Sequence, residues 1–158
     1  IYYNLEIKEE VDKLKKQYSQ LPDFAVLDKE FEISDAEKEE HLFSHIKKKI
    51  CERVDAVHEL LEEFLQPEMT SFGNLYESKC FGELERSQIL ELYKKVMLLL
   101  RELDETILQL DDAADAAFIK KVAQEWPAIR KSILPFVTKL KEGWAKPAGA
   151  RKFIDYLG

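Results

Sequence analysis

Glycine, cysteine, histidine and long apolar runs are all scarce in this sequence, and each scarcity excludes something. Five glycines in 158 residues are too few for a fold built on many tight turns, where glycine supplies the left-handed backbone. Two cysteines, Cys51 and Cys80, make no dense disulfide framework and lack CxxC spacing. Free thiols suit a reducing compartment, so a cytoplasmic location is expected. The longest uninterrupted apolar run, Val96 to Leu100, falls far short of the roughly 20 residues a membrane span needs. The opening residues Ile1-Tyr2-Tyr3-Asn4 carry no signal-peptide pattern. No P-loop, GxGxxG, GxSxG or HExxH occurs, which removes the enzyme classes those motifs announce.

What the chain does contain is helix-forming material. Hydrophobic residues make up 46% and charged residues 35%, arranged in Lys/Glu/Leu-rich segments with a period near 3.6, so the expected fold class is all-α. The pattern predicts an antiparallel bundle of four to five helices with one long, central, heptad-patterned helix. Residues 1–158 read as a single helical domain: an N-terminal helix and extended segment at 1–33, a main bundle at 34–145 and a tail at 146–158. The first helix should carry Ile7, Val11, Leu14 and Tyr18 and stop at Leu21-Pro22. Phe24, Val26, Phe31 and Ile33 alternate with a period of two, which predicts extended chain. Ser34-Asp35-Ala36-Glu37 has the form of a capping box and predicts the start of a second helix running to Gln66. A connector follows from Pro67 to Gly82.

The strongest periodic signal is Ile89, Leu92, Val96, Leu99, Leu103, Thr106 and Leu110 on a helix over 83–110. Leu90, Met97 and Leu108 add a second apolar strip, and so wide an arc predicts a helix that sits centrally or touches a partner subunit as well as its own core. Beyond Asp111 and Asp112, the prolines at 127 and 135 predict two segments, the second of them kinked.

Several small motifs carry possible chemistry. Asp111-Asp112-Ala113-Ala114-Asp115 matches DDxxD, the aspartate-rich motif of all-α isoprenoid synthases, in which carboxylates hold Mg²⁺ against a diphosphate. Those enzymes are far longer and usually carry a second acidic motif, which this chain lacks. Acidic residues three apart, at Glu37/Glu40, Glu59/Glu62 and Glu102/Glu105, resemble MazG-like and dimeric dUTPase-like pyrophosphatases. On these grounds the candidate metal ligands are Asp111, Asp112, Asp115, Glu102 and Glu105, with Mg²⁺ as a cofactor only under an enzymatic reading. Otherwise no cofactor is expected. Arg53 and His58 match the Arg-x4-His spacing of HEPN ribonucleases, although Val54 replaces the usual asparagine; they are the candidate catalytic pair. On a helical wheel Arg53 falls within the apolar stripe and therefore needs an ionic partner. His41 and His45 lie four apart on the polar side, which predicts a surface pair. His45 with Lys48 also resembles the histidine-phosphotransfer bundles, except that Lys49 stands where those carry glycine.

The formal net charge of −7 conceals an uneven distribution. From Ala128 onward there are seven basic and two acidic residues, a net of +5; the preceding 127 residues hold the other 17 basic and 29 acidic ones, a net of −12. The candidate partner-binding residues are Arg130, Lys131, Lys139, Lys141, Trp144, Arg151 and Lys152. Nucleic acid is expected only through this basic segment, the alternative being that it packs on acidic helices of the same chain. The leading functional expectation is a non-enzymatic protein–protein interaction or self-associating module, a homo-oligomer or the binder of another protein. The alternatives are a small all-α Mg²⁺-dependent nucleotide- or diphosphate-processing enzyme and an RNA-binding or HEPN-like ribonuclease.

Overall fold

The computed structural model describes residues 2–35, 41–68 and 70–147. Among the described residues it is all-helical, as the periodicity predicts. Six α-helices pack together where four or five are expected: α1 (Tyr2–Gln17), α2 (Phe24–Phe31), α3 (Leu42–Leu65), α4 (Phe72–Ser78), α5 (Glu83–Gln109) and α6 (Asp112–Ala145).

Helix α5 follows the heptad reading closely. Ile89, Leu92, Val96, Leu99, Leu103 and Thr106 are all buried, lying against α3 on one flank and α6 on the other. Leu110 departs from the stripe. It takes the left-handed C-cap conformation (φ 53°) and is 89% exposed. Asp111 then caps α6, its carboxylate accepting from the Ala113 amide at 3.1 Å, so the two longest helices are joined by a two-residue turn. Leu90 and Leu108 of the second strip stay exposed and are not part of a central core.

Three sequence expectations are corrected. Phe24–Phe31 is helical, not extended, because Phe24, Leu27 and Phe31 also form an i, i+3, i+7 stripe; Leu27 and Phe31 are fully or almost fully buried. The box at Ser34 does not start α3. Ser34 and Asp35 belong to a 3-10 turn, the Ser34 amide donates to Asp28 at 3.0 Å, and His41 occupies the N-cap of α3. Glu37 and Glu40 lie outside the described residues. The third correction concerns Pro127: the two expected segments are one helix, α6, which continues through Pro127 and also contains Pro135. An interior proline costs about 3 kcal/mol. Here the burial of Val122, Trp126, Ile129, Ile133, Phe136 and Leu140 in one phase offsets it, since each side chain contributes roughly 1.5–3 kcal/mol.

The described part of the connector contains α4, whose N-cap Ser71 accepts from the Asn74 amide. This short helix clasps the end of α6. Tyr76 stacks on Trp144 with centroids 4.4 Å apart, donates to the Gly143 carbonyl at 2.8 Å, and is adjoined by Glu77, which accepts from the Trp144 indole at 3.0 Å.

Candidate interaction surface

The catalytic candidates do not converge. Arg53 and His58 are five residues apart on α3, which places them roughly 140° apart around the helix. Arg53 sits at the edge of the apolar stripe, and its guanidinium reaches outward to Glu32 at 3.2 Å with 43% of its side chain exposed. It is therefore not buried as the wheel predicts, because the long stem covers apolar surface while the charge stays in water. His58 turns instead toward α5. Its Nε2 lies 3.1 Å from the Tyr93 hydroxyl and 3.2 Å from Glu62, and Tyr93 donates to the same carboxylate at 3.2 Å.

The acidic candidates are likewise separated. Asp111 caps α6, Asp112 and Glu105 are exposed, and Asp115 is buried against Lys47 at 2.9 Å. Glu102 accepts from Lys121 at 2.5 Å, which raises the lysine pKa through that hydrogen bond. Among the described residues no three His, Cys, Asp or Glu side chains gather as a metal site requires. The histidine expectation also changes: His41 is exposed, whereas His45 is buried. The turn that carries Asp35 covers it, with Nε2 3.7 Å from that carboxylate.

The basic segment is partly consumed within the chain. Arg130 makes a bidentate pair with Glu30 of α2, at 3.0 and 3.2 Å. Lys139 donates to Glu85 of α5, holding that carboxyl below its usual range, and Trp144 is stacked on α4. Lys131 and Lys141 remain exposed. Arg151 and Lys152 lie outside the described residues.

One extended surface remains. Two hollows, of about 580 Å³ and 510 Å³, lie side by side between α5 and α6 and share Leu92, Lys95 and Ser132 as lining. Together they form one groove. Its apolar lining is Leu92, Leu98, Ala128, Ile129, Pro135 and Phe136. At one end Glu85 is tied to Lys139 and at the other Glu102 to Lys121. These two bridges make α5 and α6 run in opposite directions and fix their register, with Lys95 level with about Ala128 and Leu98 level with about Glu125. The Ser132 hydroxyl donates to the Ala128 carbonyl at 2.8 Å. The groove thus has an apolar floor, a charged rim and an open length.

Sequence reasoning misses the groove but holds one sign of it. The five-residue run Val96–Leu100 cannot turn wholly inward on a helix, and the structure leaves Leu98 56% exposed. Which helix lies beside Leu98 depends on how α6 packs, and that is not visible in a run of letters. No protein family, no curated protein and no solved structure matches the chain.

Proposed function

We propose that this chain is a non-enzymatic protein–protein interaction module, an antiparallel helical bundle that receives an apolar helical face in the α5–α6 groove. The observation that carries the reading is the groove itself: two adjoining open hollows along two long helices, with Leu92, Ile129 and Phe136 in their floor and charged residues around them, the end charges being paired within the chain. Ordinary solvated helix faces carry scattered apolar residues, not a lined channel. Among the described residues, the separation of Arg53 from His58 and of the acidic candidates from one another leaves the enzymatic alternatives without a comparable assembly.

The test uses a fluorescently labelled amphipathic peptide of roughly 18 residues with leucines at i, i+3, i+4 and i+7. Saturable binding to the full chain, weakened at least about tenfold by Leu98→Glu together with Ser132→Glu, is the expected result. Both positions are exposed, so circular dichroism should show the fold intact. Absence of saturable binding at a chain concentration where sedimentation shows a monomer, or binding indifferent to the two substitutions, overturns the reading.

A further inference from the structure

The groove's charges point to one occupant in particular. Lys95 and Glu125 both line it, both are exposed, and neither makes a hydrogen bond or ion pair of its own with a described residue. Glu125 does lie within electrostatic range of Lys121, but that ammonium is already hydrogen-bonded to Glu102. An apolar channel holding one unpaired cation and one unpaired anion on opposite walls is complementary to itself.

We infer that the groove's occupant is a second copy of this chain, related by a two-fold axis running along the groove, so that α5 of each copy lies on α6 of the other. This inference rests on the interaction reading above and names its partner. Such an axis keeps every residue at its own height. Lys95 is level with about Ala128, one turn from Glu125 on α6, so the Lys95 ammonium meets Glu125 of the second copy across an offset of three residues, about 5 Å. The flexible lysine stem spans that distance. The contact forms twice, as an isologous interface requires. Leu98, level with Glu125, then lies one helical turn from the small Ala128 of the second copy. The groove's lining on α5 runs from Glu85 to Leu98, about 20 Å, and two helices side by side are about 18 Å wide, which gives on the order of 400 Å² per copy, the size of a weak and reversible pair.

Sedimentation velocity of the full chain over a range of concentrations, for the native sequence, Lys95→Glu, Glu125→Lys and the double swap, tests the inference. A concentration-dependent dimer is expected for the native chain. Each single swap sets like charges against each other and should weaken dimerisation at least about tenfold, and the double swap should bring it back to within about threefold of native. Circular dichroism checks that all four fold alike. A native chain that stays monomeric overturns the two-fold pairing, and so does a dimer that neither single swap weakens. If the labelled peptide still binds a monomeric chain, the interaction reading stands and only the second copy is excluded as occupant; if it does not, both fail.

Discussion

The Lys47 ammonium lies 2.9 Å from the Asp115 carboxylate, and the two side chains are only 11% and 8% exposed. This pair ties the first third of α3 to the first turn of α6. Buried ion pairs gain little over apolar neighbours of equal volume, because both charges have been taken out of water, but breaking one leaves the other uncompensated. Asp115→Asn or Lys47→Met should therefore lower the unfolding free energy by about 3–5 kcal/mol, read from urea titration. The double variant Lys47→Met/Asp115→Leu should recover most of that loss. Single-variant losses under about 1 kcal/mol, the size for exposed pairs, would show that the site is hydrated in solution.

Leu110 offers a gain instead. Its left-handed backbone (φ 53°) costs a non-glycine residue roughly 1–2 kcal/mol, and at 89% exposure the side chain returns almost nothing through packing. Glycine removes that strain at an entropic cost of about 0.5–1 kcal/mol. Leu110→Gly should raise the thermal midpoint by the equivalent of about 0.5–1 kcal/mol, whereas Leu110→Ala should not. Equal midpoints for both substitutions would show that the turn relaxes out of this conformation.

Leu110 also shows where the sequence stops being legible. The α5 stripe is readable up to Thr106 because a single helix must bury every third or fourth residue whatever its neighbours are. Position 110 fits the same spacing, but the chain has already turned there to make α6, and spacing carries no sign of a left-handed cap. Pro127 misleads for the opposite reason: local preference starts a new segment there, and tertiary burial of Trp126 and Ile129 overrides it. In the segment from Phe24 to Phe31, two periods fit the same few aromatics. Packing against α3 and α6 decides between them, and the letters alone do not. The groove is harder still. Lys95 and Glu125 are two among many charges, and only the register between α5 and α6 leaves them unpaired on facing walls.

Three pairs set a pH dependence whose sign follows from their shifts. Hydrogen bonds from Lys139 and Lys49 hold the Glu85 and Asp35 carboxyls below their ordinary values. A depressed carboxyl contributes stability above its unfolded pKa, about 4, and loses it as pH falls through the folded value. Lys49 and Lys121 are shifted up by their bonds to Asp35 and Glu102. Their contribution is complete below about pH 10.4 and fades as pH rises through the raised value. These groups therefore favour a stability plateau between about pH 5 and 10, with urea midpoints falling at pH 3 and at pH 11. Glu85→Gln should flatten the acid side while leaving the alkaline side unchanged. An acid slope as steep in Glu85→Gln as in the native chain would assign it to other carboxyls.

The clasp of α4 on α6 predicts the behaviour of the two thiols. Burial pushes both Cys51 and Cys80 above the ordinary thiol range, and the thiolate is the nucleophile, so both should alkylate more slowly than an exposed cysteine at pH 7.5. Only Cys80 depends on the clasp. Its Sγ lies against Gly143, 3.4 Å from where a Cβ would stand, and beneath the Tyr76 carbonyl at 3.8 Å. Removing the stacked indole by Trp144→Ala forfeits about 0.5–1.5 kcal/mol of aromatic contact and the bond to Glu77. Opening of α4 should become about two- to tenfold more frequent, and Cys80 alkylation should accelerate by the same factor. Cys51, on α3, should not change. Peptide mapping after iodoacetamide treatment separates the two sites. Equal acceleration at both would mean that the whole fold has loosened, and no acceleration at Cys80 would mean that α4 is held by contacts other than the Tyr76–Trp144 stack.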